Sequence, residues 1–344
     1  MLRKTALAFS IMAANIAETY EVDDVSKKFS ATPSIAQELV DAITLEDGFL
    51  KLINVVPVDE LQGEKVMGSA NGIVPKRTNT AVGDRLTTDI LNLGSKTFQL
   101  YKSEFDVHIK YSTIDSWAKF PNLDEKYGKY VRKQIALGRI MVGWHGTSAA
   151  TVTDPSTYTM GEDVNKGWFQ ILRDYNSGAQ ILDEGATTSQ IRIGTGGDYV
   201  NLDAAVHDCK QMLNIIHRDA SDLVAIIGTD LLAEDKTQLY ISQGQTPTEK
   251  ERIENTAVTR TYAGLPAIKP PSHFPARGIM VTSLDNLSIY YQSSSVRRKI
   301  EDNSKRDRIE DFNSLNEGYV IEDEEKAAAF EFENVKLYNG TAWV

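Results

Sequence analysis

The sequence predicts an α+β fold, arranged as two or three domains or as one elaborate fold with long excursions. Three observations carry that prediction. Period-two alternation marks strands, most plainly in "SEFDVHIKY", where Phe105, Val107, Ile109 and Tyr111 alternate with Glu104, Asp106, His108 and Lys110. A helical stripe runs through residues 122–146. Strand-like and helix-like segments alternate over 153–275, whereas 278–337 is mostly extended. The length of 344 residues fits, because single cores usually stop growing near about 250–300 residues.

The elements follow in chain order. At the N-terminus, Arg3 and Lys4 precede an apolar stretch from Thr5 to Ala14. That pattern is shared by a signal peptide and a short amphipathic helix, and Asn15 and Glu18 fit the helix better. "SATPS" then breaks the chain before "IAQELVDAI", where Ile35, Leu39, Val40 and Ile43 recur at helical spacing with Ser34 as N-cap. Residues 56–95 are rich in Gly, Thr and Asn and show little periodicity. So long a plain loop is foreign to a compact domain. The stretch reads as a projecting two-stranded excursion, with "SEFDVHIKY" as its returning strand.

Residues 122–146 carry the best helix. Asn122 is placed to cap it, with Glu125 completing a capping-box variant. Tyr127, Val131, Ile135, Gly138 and Val142 form one stripe, which Tyr130, Leu137, Met141 and Trp144 widen. A helix of this length spans roughly 36 Å. Lys126, Lys129 and Lys133 lie on one side with Arg132 and Arg139 nearby. Such a face is either solvated or set against a partner chain or enclosed nucleic acid.

In the next region, "LDAAVHDCKQMLNII" is amphipathic, with Leu202, Val206, Cys209, Leu213 and Ile216 in register. "LVAIIG" reads as a buried strand and "TDLLAEDKTQLY" as a helix capped by Thr229. The proline-rich "GLPAIKPPSHFP" marks a boundary. Beyond it, "GIMVTSL" and "LSIYYQ" read as strands, and "EGYVIEDEEKAAAFEFENV" as a long strand followed by another. Between them lies "RRKIEDNSKRDRIED", residues 297–311, in which six basic and five acidic residues leave only Ile300 and Ile309 apolar. The run is compatible with a solvated strip, a helix laced with ion pairs, or an arm docking on another copy.

Composition narrows the function. A hydrophobic share of 41% and a charged share of 25% are those of a globular protein. The net charge of −11 disfavours a chain that coats nucleic acid with its whole surface. The single cysteine, Cys209, excludes an internal disulfide framework and a multi-cysteine metal site. No stretch elsewhere reaches the roughly 18 apolar residues of a membrane span. "GTGGDY" at 194–199 lacks both the P-loop lysine and the dinucleotide spacing, and Gly228 opening a helix is more often a plain turn than a phosphate site. The histidines are scattered, so no catalytic, cofactor or metal residue is nominated. What stands out is a set of protrusions, from which an oligomer gains contacts and a monomeric enzyme gains little.

The chain resembles the major capsid proteins of P2-like (Peduovirus) tailed phages. The resemblance is densest in "INVVPVDELQGEK" (53–65), "IKYSTIDSWAKF" (109–120), "RIGTGGDYVNLDAAV" (192–206), "LDNLSIYYQ" (284–292), "RRKIEDN" (297–303) and "DRIEDFNSLNEGYVIED" (307–323), with shorter matches at "DVSKKF" (24–29) and "GLPAI" (264–268). It implies an HK97-like capsid fold. The implied divisions are an N-terminal arm over 1–55 with a scaffold-like segment of about 1–32, and an E-loop with flanking strands over 56–112. A peripheral domain with a spine helix follows at 113–152, then an axial domain at 153–275. Strands over 276–344 return through both domains.

The implied function is structural: self-assembly into hexamers and pentamers of an icosahedral head enclosing double-stranded DNA without sequence-specific contact. An enzyme with a nucleotide site and an exported envelope protein are the rival readings. Implied partners are other copies of the chain, an internal scaffold or protease, and a portal protein; no cofactor is implied. The implied place is the virion capsid, assembled in the host bacterial cytoplasm. Family members are commonly trimmed near a Glu after their N-terminal segment; here the equivalent junction falls at Thr32 and Pro33, a departure from that pattern. The contact candidates are Lys65, Lys76, Arg77 and Arg85 on the loop, and Arg297, Arg298, Lys299, Glu301, Asp302, Arg306, Arg308 and Glu310 in the charged run, taken as an extended segment facing a neighbour.

Overall fold

The computed structural model describes residues 3–70, 77–78, 91–117, 123–243 and 261–344. Helix α1 (Arg3–Thr19) and strand β1 (Phe29–Ser30) precede α2 (Pro33–Thr44) and β2 (Asn54–Val58). Next come β3 (Gln62–Ala70), β4 (Leu91–Gln99), β5 (Tyr101–Glu104), β6 (Val107–Lys110), α3 (Tyr111–Trp117) and α4 (Leu123–His145). The middle of the chain holds α5 (Trp168–Asp174), β7 (Ile181–Leu182), β8 (Ile191–Ile193), α6 (Leu202–Gln211), β9 (Leu223–Ile227) and α7 (Thr229–Gln243). The last third is β10 (Thr261–Tyr262), β11 (Leu265–Ile268), β12 (Ile279–Ser283), β13 (Leu287–Gln292), β14 (Arg297–Asn303), β15 (Arg308–Ile321), β16 (Ala328–Phe330) and β17 (Val335–Leu337).

Two sheets organise these elements. One is seven-stranded, in the order β1-β14-β15-β13-β2, with β5 and β6 also pairing to β15. The other is six-stranded, in the order β10-β11-β9-β12-β16-β7. The chain crosses between them twice near its end: β12 lies in the six-stranded sheet, β13 to β15 in the seven-stranded one, and β16 back in the first. One hydrophobic core joins the two. It takes Leu287, Ile289, Tyr319 and Ile321 from the long sheet, Ile226, Met280 and Ala329 from the other, and Trp144, Trp168 and Phe169 from α4 and α5. The Trp144 and Trp168 rings lie 4.7 Å apart and Phe274 stands edge-on to Trp144 at 4.9 Å, the offset geometry aromatic rings prefer. This contact requires Gly143, because a Cβ there would meet the Trp168 ring at 2.5 Å. A second core lies around α6, where Leu202, Val206, Cys209 and Leu213 pack against β9 and β12.

Several expectations are corrected. Helix α2 begins at Pro33, not after Ser34: Thr32 is its N-cap without a side-chain cap bond, and proline's fixed φ suits the first helical position. "SEFDVHIKY" is not one strand. It breaks after Glu104, where the Phe105 amide donates to the Asn313 carbonyl and the Asp106 carboxylate accepts from the Asn313 amide, and Tyr111 starts α3. The returning strand of the excursion is instead β4, in register with β3 from Gln62↔Gln99 to Ala70↔Leu91. The proposed cap Asn122 lies outside the described residues. In α4, Tyr130 is 63% exposed rather than packed, and Arg139 is 1% exposed rather than beside the lysines. Helix α6 stops at Gln211, so Ile216 leaves the apolar register and is 57% exposed.

Candidate functional site

The charged run folds as a hairpin. Residues 297–303 pair with 308–314 from Arg297↔Ser314 to Asn303↔Arg308, around a turn in which Asp307 takes a φ of 51°. Alternation then sorts the charges by face. Inward, Ile300 and Ile309 sit diagonally on one face and pack with Tyr111 and Ile114 of α3 and Met12 of α1. The two isoleucines, nine apart in sequence, are neighbours across the hairpin. On that face Arg298 holds Asp311 through two parallel bonds of 3.0 and 2.7 Å, and Asp311 is 1% exposed. Burial works against the Arg298 charge, but Asp311 and Tyr20 outweigh it and its pKa is raised. The Tyr111 hydroxyl donates to Asp302, which pushes the phenol up to about 12.

The outward face pairs more loosely. Lys299 meets Glu301, and Arg308 donates to Glu310 at 2.7 Å, which with Asn303 lowers the Glu310 pKa. Arg306 is exposed in the turn and Arg297 is exposed on β14. Arg297 also borders an open groove of about 260 Å³, together with Lys28, Lys102, Glu301 and Phe312. Phe312 is 36% exposed there. Asp106 lies in the same groove, its carboxyl pushed up by burial.

The N-terminal arm lies over this hairpin. Tyr20 stacks edge-on to Phe29 at 5.2 Å and receives the Arg298 guanidinium on its ring at 5.5 Å. Strand β1 extends the sheet through Phe29↔Arg298 and Ser30↔Arg297, and the Ile300 amide donates to Val25. Ala31 is 6% exposed and its amide donates to Val296. The Thr32–Pro33 junction is therefore continuous with a paired strand on one side and a helix on the other.

Spacing could not reveal the pin between α4 and the long sheet. Arg139 donates to Glu317 at 2.9 Å with both side chains almost fully buried. The Tyr319 hydroxyl donates to the Arg139 carbonyl, and the Asn165 amide donates to the Glu317 carbonyl. On the other face of α4, Lys129 and Lys133 are exposed beside Tyr130.

Loop residue Lys65 is engaged within its own subunit. Its ammonium lies 2.9 Å from Glu324 and 2.5 Å from the Ile321 carbonyl, and is 8% exposed. Lys96, its register partner on β4, holds the other oxygen of Glu324. Two lysines directly opposite repel; one carboxylate between them turns the clash into a clamp. Burial works against the Glu324 charge, but the two ammonium groups outweigh it and its pKa is lowered. Arg77 is exposed, while Lys76 and Arg85 lie outside the described residues.

The glycine signals resolve as structure. Asp198 of "GTGGDY" accepts from the Ala186 and Arg192 amides, and at Gly228 a Cβ would meet the Ala276 carbonyl at 2.2 Å, so the chain itself fills that approach. Cys209 is buried and its thiol pKa is pushed up by desolvation, the reverse of an activated nucleophile. No group of His, Cys, Asp and Glu that could hold a metal occurs among the described residues, and no helix among them is long and apolar enough to cross a membrane.

Comparison with known proteins agrees with this picture. The sequence profile described as "Phage major capsid protein, P2 family" matches residues 8–333. The chain is 36% identical over 333 residues to the "Capsid proteins" of Escherichia phage P2, covering 94% of this chain and 92% of that one. It is 29% identical to the major capsid protein of Serratia phage KSP20, over 87% of each. Among solved structures, the satellite phage P4 procapsid including size determination (Sid) protein matches with a TM-score of 0.78 at 33% identity, covering 98% of this chain and 99% of that one.

Proposed function

The chain belongs to the P2 family of phage major capsid proteins, and from that premise we propose that copies of it build hexamers and pentamers of an icosahedral head around double-stranded DNA. It is a structural protein with the α+β, HK97-like fold, and not an enzyme; its place is the virion capsid. The match along almost the whole chain carries the assembly reading. Host cytoplasm as the site of assembly, a scaffold or protease acting on the arm, a portal partner and trimming near Thr32 belong to the same proposal. So do the divisions into arm, E-loop, peripheral domain and axial domain.

In this reading the segment 70–90, which joins β3 to β4, meets a neighbouring subunit, and the groove beside Arg297 and Phe312 receives a neighbour. Weak, numerous contacts suit a shell that must correct errors, since each exposed ion pair contributes only about 0–1 kcal/mol. Near-balanced signs favour one register and penalise others. Arg297 isolates the question, because Arg298 also holds Asp311 inside the subunit. Deleting residues 70–90 is expected to leave a folded subunit that forms no closed shells by electron microscopy. Arg297→Glu is expected to impair assembly with an unchanged circular dichroism spectrum. Normal shells from the deletion would refute the role of the loop, and normal shells from Arg297→Glu would return that arginine to plain solvent.

A further inference from the structure

At the two ends of α6 the six-stranded lobe carries two features that the fold itself does not use. At the C-terminal end, Ile215 and Ile216 are 76% and 57% exposed. They are not a slack loop. The Asn214 side chain donates to the Glu325 carboxylate at 2.6 Å and the Asn214 amide to the Glu325 carbonyl at 3.1 Å. The Arg218 guanidinium donates to the Leu213 carbonyl at 2.7 Å, and His217 lies 3.1 Å from Asp323. Two large apolar side chains are thus held rigidly toward water, which costs solvation and returns nothing within the subunit.

At the N-terminal end is a recess of about 130 Å³, walled by Ile193, Leu202, Leu231 and Leu337, with Val200 lining it at 71% exposure. Its volume is near that of one branched aliphatic side chain, and polar Thr195, Asn201 and Gln238 share the lining with these apolar walls. Glu234 and Asp235 line the recess, while Lys210 and Arg218 flank the knob, so the basic edge of the knob matches an acidic edge of the recess. The carboxylates at the knob are engaged within the subunit: Asp219 lies 3.7 Å from Lys210, Asp323 3.1 Å from His217, and Glu325 accepts from Asn214. Helix α6, of 10 residues, sets knob and recess about 15 Å apart along its axis. They cannot meet in one subunit.

The geometry points to a head-to-tail contact in which the Ile215–Ile216 knob of one copy enters the α6 N-terminal recess of the next. A contact between different patches on identical chains is heterologous and closes into a ring when its rotation divides a full turn. The inference rests on the assembly reading and adds which surfaces of the lobe meet.

The test uses the full chain. Cysteines are placed at the two surfaces by Ile216→Cys at the knob and Gln238→Cys in the lining of the recess; Cys209, at 0% exposure, does not compete. Assembled particles treated with a short bismaleimide are expected to give a ladder of covalent multimers, with neither single variant passing beyond dimers. In parallel, Ile215→Asp with Ile216→Asp is expected to lower the assembled fraction at least about tenfold at unchanged circular dichroism, as loss of a central apolar anchor does. Particles that form normally from the aspartate variant, or that give no ladder, overturn this contact and leave the capsid reading intact. A wild-type chain that stays monomeric under assembly conditions overturns both.

Discussion

Two antiparallel ribbons in this protein, β14–β15 and β3–β4, are held in opposite ways. The first reads as the more exposed, with eleven charges in fifteen residues, yet it is clamped. It sits within a seven-stranded sheet, under α1, with Arg298 locked to Asp311. The second reads as bland, yet β3 and β4 pair only with each other among the described strands, and their stem is fixed at Glu324 and by the Phe98–Tyr290 edge contact at 5.1 Å. Charge density alone does not mark a free surface; what matters is whether a partner of opposite sign lies opposite on the same face.

The strongest way to break the comparison is to unpin the clamped side. Glu317→Ala leaves Arg139 buried without its partner and is expected to cost about 3–5 kcal/mol, seen as a lowered midpoint in urea. Asp311→Ala is next, at about 2–3 kcal/mol, because Arg298 keeps some access to water. It is also expected to loosen the arm, measured as faster hydrogen exchange in residues 20–31.

That difference explains what the sequence could and could not show. Largely apolar runs located β9, β12 and β13, whose apolar residues are local, while period-two alternation placed a single strand over 104–111. That alternation missed the break after Glu104, because the strand there ends through bonds to Asn313, more than two hundred residues away. Arg139 looked like one more cation on a lysine-rich helix, since its partner is 178 positions distant. Ile216 continued the α6 pattern on paper, but the chain turns at Asn214 to bond Glu325. Of the contact candidates, Lys65 and Arg298 were legible as charges and not as internal pairs. The exposed Arg297 and Phe312 differ from them only in tertiary surroundings.

On the free ribbon the effects shrink. Glu324→Gln is expected to leave the body folded and to speed hydrogen exchange across residues 62–65 and 96–99 about tenfold, as the facing lysines separate. The same opening follows acidification. The folded pKa of Glu324 is depressed from its usual 4.5, so its contribution is complete above the unfolded value and is lost as pH falls through the folded one. Protection factors of the stem amides, with intrinsic exchange divided out, should therefore fall below about pH 4.5 in the wild type and stay flat there in Glu324→Gln. Smallest of all, Lys299→Ala on the outer face of the clamped hairpin is expected to change stability by no more than about 0.5 kcal/mol by thermal melting. A larger loss would move the outer face into the clamped class.

The seam at Thr32 and Pro33 has a kinetic consequence. Severing the backbone there would remove the tether and the Thr32 cap of α2, where the Ala36 amide donates to the Thr32 carbonyl at 2.8 Å, while Tyr20, Phe29 and Ala31 would still hold the sheet edge and α1 would still cover Ile300 and Ile309. What a cut abolishes is the high local concentration that returns the arm after each excursion. Scission and departure would then be separate events, the second paced by the off-rate of a non-covalent ligand that began as part of the same molecule.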